Sequence, residues 1–299
     1  MLWSVEIGTR GGSRMSTRSP VQAGRFYPGN SEACSREVRE MLADVEPVEG
    51  PADPVAAISP HAGWAYSGRT AARVFAALEG RPLDTLVVFA AHTGPFGVAE
   101  VSAYEAWETP LGEVNVDGEL SRAIVDRCGR AIEAGDRLLD RDHSVEVQLP
   151  FLKVLFPEAR LVALALPSDE HAAARGRMIA SAAAELGRSV VLMGSTDLTH
   201  YGAPYGFSPH GSGDEALRWV REENDARMVE LIRELDADRV VVEAAANHNA
   251  CGAGAVAAAL AGARELGREK ATILQYTTSQ DVYPERSINA FVGYVAAVS

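Results

Sequence analysis

The chain predicts a single-domain α/β/α sandwich with a mixed, largely parallel central sheet, and three observations carry that prediction. Apolar runs of strand length alternate with stretches of helix length. The connections between them are short. Three of the apolar runs finish in polar loops that hold a histidine. With 299 residues and an apolar share of 47%, the chain is long enough for one large domain with a sizeable core. No internal repeat, low-complexity tract or composition break divides it. Residues 19–299 are therefore expected to form one α/β domain, and residues 1–18 a disordered tail or extension, with Met15 a candidate start.

In chain order, residues 19–30 (SPVQAGRFYPGN) form a Pro/Gly/aromatic segment without a regular period. Residues 32–45 have the spacing of an amphipathic helix, and 47–54 are a turn-rich link. Strand-length apolar runs occupy 55–59, 85–91, 160–166, 189–194, 272–277 and 288–296. Helical patterns fall between them at 69–79, 117–127, 144–156, 172–186, 214–235 and 254–265. Residues 100–116 contain short strand-like pieces that predict a β-ribbon.

The formal charge of −13 argues against nucleic acid as a partner, because phosphate binding needs a basic stripe. No targeting pattern stands at the N-terminus and no apolar run approaches about 18 residues, so a cytoplasmic protein without membrane association is expected. The three cysteines, Cys34, Cys128 and Cys251, lie far apart without CxxC spacing. That sparse, odd count points to a reducing compartment rather than a disulfide framework. Cys34 and Cys128 fall in amphipathic helices and read as core.

The chemistry concentrates at strand ends. The run 55–59 leads into Pro60-His61-Ala62-Gly63, the run 85–91 into His92-Thr93-Gly94, and the run 189–194 into Ser195-Thr196-Asp197-Leu198-Thr199-His200. In open α/β sheets, ligands bind in the crevice outside the carboxyl ends of the strands. Each histidine alone is equally consistent with a helix cap or a core hydrogen bond; the joint placement carries the weight. Residues 140–150 (DRDHSVEVQLP) start like a capped helix, with Asp142 or Ser144 as N-cap and His143 and Glu146 three apart on one face. Cys251, in NHNACGAG, precedes an Ala-rich helix whose unpaired N–H groups and dipole would favour a thiolate. A small buried core cysteine is the plainer alternative.

Two neutral imidazoles and a thiolate, from His61, His92 and Cys251, make a donor set suited to iron(II) or copper, with zinc a further candidate. Asp197, His200, His143 and Glu146 would then orient the ligands or move protons. A competing arrangement makes Cys251 a nucleophile, with one His as base and Asp197 orienting it.

Six segments, PVQAGRFYPG, SPHAGWAYSG, AHTGPFG, DHSVEVQLPFL, GSTDLTHYG and HNACGAGA, resemble in this order the Memo family, whose bacterial and archaeal members are called AmmeMemoRadiSam system protein B. The resemblance covers the chain from about Ser19 onward. It implies a fold similar to the class III (LigB-type) extradiol dioxygenases and a metal site in the dioxygenase position. Its ligands are implied to be His61, His92 and Cys251, with Asp197, His200 and His143 as polar pocket residues. In LigB-type enzymes a Glu stands where Cys251 stands here, which favours redox chemistry over ring cleavage. The resemblance also implies association with a radical SAM protein and an AMMECR-type protein.

The resulting expectation is a metal-dependent, dioxygenase-like oxidoreductase acting on a small molecule. His200 or His143 would be its acid/base, Asp197 would orient that histidine, and Cys251 would join the reacting groups. A non-catalytic peptide- or protein-binding module built on the same pocket is the alternative.

Overall fold

Along the central strands, apolar side chains alternate between two faces, so the sheet carries a core and a layer of helices on each side. The computed structural model describes residues 16–46, 50–285 and 287–299. The expectations for residues 1–15 and for 47–49 of the link lie outside the described residues.

In chain order the elements are β1 (Thr17–Arg18), α1 (Ser31–Ala43), β2 (Ala56–Ser59), α2 (Trp64–Leu78), β3 (Thr85–Ala90), β4 (Ala99–Val101), β5 (Ala106–Thr109) and β6 (Gly112–Asn115). Then come α3 (Gly118–Cys128), β7 (Ile132–Ala134), α4 (Leu149–Leu155), β8 (Arg160–Ala165), α5 (Ala172–Glu185), β9 (Val190–Ser195) and β10 (His200–Gly202). The last part holds α6 (Asp214–Trp219), a π-helical turn (Val220–Asn224), α7 (Asp225–Arg233), α8 (Ala237–Asn247), α9 (Ala253–Glu265), β11 (Thr272–Thr278), α10 (Ser279–Val282) and β12 (Ala290–Val298).

The main sheet has the order β10-β12-β2-β9-β3-β8-β4-β7, with β11 on the other side of β12. The strands β2, β9, β3 and β8 are parallel neighbours, and β12 runs antiparallel to β2, β10 and β11. Val87, Phe89, Val162, Leu164 and Leu192 face one core, shared with α3, α5, α7, α8 and α9. Leu86, Val88, Leu161, Ala163 and Met193 face the other, shared with α1, α2 and α4. Cys34 and Cys128 are buried in these cores. A small second sheet, β1-β5-β6, lies apart from the main one.

The expected tail boundary moves. Thr17 and Arg18 already form a strand, paired in parallel with Ala106 and Trp107 of β5. Arg18 is buried, its guanidinium over the Trp107 ring and 3.0 Å from the Glu146 carboxylate. Buried charges persist only when paired, so residue 18 belongs with the folded domain. Four helices also differ from expectation. The helix α2 begins at Trp64, because the Phe26 carbonyl accepts the Trp64 N–H at 2.8 Å. The pattern at 144–156 splits into a 3₁₀ turn (Glu146–Gln148) and α4, where Pro150 fits the first turn that needs no N–H from it. The long pattern at 214–235 is interrupted by the π-helical turn. The helix α8 was not anticipated, since its pattern runs directly out of α7.

The helix α9 packs unusually close to the sheet and to α5. A Cβ on Gly194 would stand 2.8 Å from the Ala255 carbonyl oxygen, and one on Gly176 only 2.2 Å from that of Ala258. These glycines are required by contact, not by backbone angle. Among the described residues no helix is long and apolar enough to cross a membrane.

Gly176→Ala is therefore expected to destabilise the fold by about 1–3 kcal/mol through overpacking, although alanine is the better helix former. Urea unfolding of parent and variant checks this, and an unchanged or raised stability would contradict the close α5–α9 approach.

Candidate metal centre

The register of β2, β9 and β3 brings their carboxyl ends level: Ser59 pairs with Ser195, and Phe89 with Gly194. The loops that follow therefore open into one space. They form a cavity of about 460 Å³ whose walls include His61, His92, His143, Asp197 and His200, with Phe26, Tyr66, Tyr205 and Tyr294 around them. Among the described residues, the ring nitrogens of His61, His92 and His143 come within 4.8 Å of one another, close enough to hold one metal ion.

Hydrogen bonds set the tautomers of the first two. The Ser195 hydroxyl donates its one proton to the Ser144 carbonyl at 2.9 Å. It must therefore accept from His61 Nδ1, which lies 3.0 Å away. His61 thus carries its proton on Nδ1 and turns the Nε2 lone pair to the cavity. For His92, Nδ1 donates to Asp142 Oδ2 at 2.8 Å, again leaving Nε2 free. Asp142 is held in turn by the Ser144 N–H and hydroxyl on its other oxygen, at 2.8 and 2.6 Å. A carboxylate fixing the far nitrogen of a histidine is how proteins orient metal-binding imidazoles.

Protonation follows burial and charge. Burial, then the neighbouring His92, holds the His61 imidazole well below its ordinary value. Burial and the two other rings bring His143 down to about 4. Burial also lowers His200. These rings are neutral near pH 7, as ligation requires. His92 differs: burial pulls it down, but the hydrogen bond and charge of Asp142 outweigh that and raise it. Asp197 is buried and pushed upward by desolvation. Its Oδ1 accepts the His61 backbone N–H at 2.9 Å, and its Oδ2 stands 3.9 Å from Nε2 of both His61 and His200.

Cys251 stands beside His61. Its sulfur lies 3.4 Å from His61 Nε2 and accepts the Asp197 N–H at 3.3 Å, while the Cys251 N–H donates back to the Asp197 carbonyl at 3.1 Å. It is not among the cavity walls. Nor is it in the convergent set, where His143 stands instead. The expected lowering of the thiol's pKa is not realised. Burial, then the Asp197 carboxylate, pushes it up, and Cys251 sits outside the helix, before the N-cap Gly252.

Glu146, expected near the metal, faces away. Its carboxylate accepts from Arg18, the Val21 and Gln22 N–H groups and the Tyr27 hydroxyl, at 2.8–3.0 Å. It thereby anchors the N-terminal segment whose Phe26 meets the His143 ring edge-on at 4.8 Å. Asp142 and Ser195 are the functional residues the sequence did not single out. Asp142 adjoins His143 in the chain, yet it serves His92, 50 positions away.

A family profile described as Memo-like protein matches residues 18–298. A MEMO1 family protein of Thermococcus onnurineus is 35% identical over 291 residues, covering 94% of this chain and 98% of its own length. One from Methanosarcina mazei is 33% identical over 292 residues, covering 95% and 99%. Among solved structures, an uncharacterized protein of Escherichia coli K12 aligns with a TM-score of 0.48 at 16% identity, over 82% of this chain and 99% of that one.

The His92–Asp142 pair makes a pH prediction. Asp142, held below the ordinary carboxylate range, contributes stability above about pH 4 and loses it on acidification. His92, raised, contributes below about pH 6.5 and loses it as pH climbs through its higher folded value. Asp142→Asn is expected to lower the His92 pKa in an NMR titration and flatten the stability profile at both edges of that window. An unmoved His92 titration would contradict the pairing.

Proposed function

The chain belongs to the Memo-like protein family, and on that premise we propose that it is a metal-dependent redox enzyme, oxygen-using, acting on a small molecule. The observation that carries this reading is the convergence of His61, His92 and His143 within 4.8 Å on the wall of one cavity. Fixed Nδ1 protons on two of them leave Nε2 lone pairs to bind an ion. Iron(II) or copper suits such a set, and zinc would fit it too. When bound, iron or copper would supply one-electron chemistry and open coordination positions, whereas zinc would supply only the latter.

The chain's own groups do the rest. Asp142 and Ser195 hold the ligands in orientation. Asp197 and His200, on the cavity wall, are placed to accept or return a substrate proton through Asp197 Oδ2 or His200 Nε2. Cys251, on the same nitrogen of His61, is a further donor that the ion could recruit at the cost of the thiol proton. The Cys-nucleophile reading is less well supported. Ser195, not Asp197, occupies the His61 nitrogen that an orienting carboxylate would need.

Protein purified anaerobically without a His tag is expected to hold near-stoichiometric iron or copper. The double variant His61→Ala, His92→Ala should lose it, and His143→Ala should weaken retention about tenfold or more, in the range seen when metal-site partners are removed. Elemental analysis reads all three. A double variant that binds iron and copper as well as the parent would sink the metal centre. A larger loss in Cys251→Ala than in His143→Ala would move the third donor to sulfur. A parent that takes up no metal, yet captures a peptide or protein, would favour the binding module.

A further inference from the structure

The π-helical turn between α6 and α7 has no role in the reading above, and its consequences reach the site. A π turn is a costly interruption of an α-helix, found mostly where function needs a side chain re-aimed. Here it turns two consecutive polar residues, Asn224 and Asp225, inward, and both are fully buried. An uninterrupted α-helix would separate neighbouring residues by about 100°, so both could not face the interior squarely.

Asp225 Oδ1 accepts the Thr199 N–H at 3.0 Å and also the Thr199 hydroxyl, and Oδ2 accepts from Tyr276 at 2.8 Å. Asn224 Nδ2 donates both to the Thr199 hydroxyl oxygen and to the Asn247 carbonyl, each at 2.9 Å. The Asn224 carbonyl accepts from Asn249 Nδ2 at 2.8 Å. These bonds grip two loops. Thr199 lies between Asp197 and His200, and Asn247–Asn249 lead into Cys251. The loops also bond to each other through the Asp197–Cys251 pair of contacts.

Stability alone does not explain such a strap. The amide oxygens of Asn224 and Asn249 are buried without a hydrogen-bond partner among the described residues, where an apolar filling would carry no such penalty. Gly293 is also constrained by it, since a Cβ there would stand 2.0 Å from Asp225 Oδ2.

We propose that Asn224 and Asp225, acting through Thr199 and the Asn247–Asn249 turn, are positioning residues that set Asp197, His200 and Cys251 around the metal centre. This rests on the metal reading given above. Asn224, Asp225 and Thr199 need not touch substrate or metal.

The test uses the full chain freed of metal and titrated with cobalt(II), reading affinity and visible bands beside the thermal midpoint. Asn224→Leu is expected to fold, bind cobalt(II) about 10–100-fold more weakly and shift its bands. Should it fail to fold, Thr199→Val removes only the hydroxyl at the hub and should give the same loss. Thr199→Ser, which restores that hydroxyl, should return the parent's affinity and bands. Folded variants with the parent's affinity and spectrum overturn the proposal. A parent that binds no cobalt(II) refutes the metal reading instead. The strap is then judged by amide exchange at His200 and Cys251: faster exchange in Thr199→Val at unchanged global stability upholds it, and unchanged exchange overturns it.

Discussion

Three neighbouring parallel strands that end level are the constraint on which the site depends. Adjacent strands lie about 4.8 Å apart, so β2 and β3, flanking β9, are separated by only about 10 Å. Each continues into a loop within one or two residues of its last sheet bond. His61, His92 and Asp197 are thereby delivered to one volume before any side chain chooses a rotamer. A slip of one residue in any of the three would turn its loop residues to the opposite face and dissolve the cluster. The register is held by the alternation of core side chains on both faces and by the close seat of α9. That seat is available only because Gly194, Gly252 and Gly254 leave room for backbone against backbone.

The second organising feature is a set of buried carboxylates, each held by at least one hydrogen bond. Asp142, Glu146, Asp197 and Asp225 are all buried. An ionised carboxylate away from water costs several kcal/mol unless hydrogen bonds replace its hydration. Each therefore dictates where its donors must be. Asp142 dictates His92 and Ser144, Asp197 dictates the backbone at His61, and Glu146 dictates the whole N-terminal approach to the cavity. In this way the polar interior defines geometry that an apolar core of the same volume would leave free.

Much of the fold was legible in the chain. The runs that became β2, β3, β8 and β9 stood out because strands buried on both faces are short, continuous and apolar, and each was bounded by a loop signal. What was not legible has physical reasons. The start of α2 at Trp64 depends on a carbonyl from Phe26, 38 positions earlier, which no local pattern carries. The split of the 214–235 pattern into two α segments around a π turn depends on Asn224 and Asp225 finding partners at Thr199, Tyr276 and Asn247. The helix α8 follows α7 with little punctuation, so one amphipathic pattern masked the next.

By itself the sequence determined which residues stand at the strand ends, and therefore that His61, His92, Asp197 and His200 could meet. Such placement is local: a strand, a turn and a polar residue are adjacent in the chain. Only the tertiary structure decided how they meet. It brought in His143 beside His61 and His92 and set the Cys251 sulfur 3.4 Å from His61 Nε2, where burial and the Asp197 carboxylate push the thiol's pKa up. It also assigned Asp142 to His92 and Glu146 to Arg18. These outcomes depend on distances between segments remote in sequence and on the low dielectric of the interior, and neither is encoded at any single position.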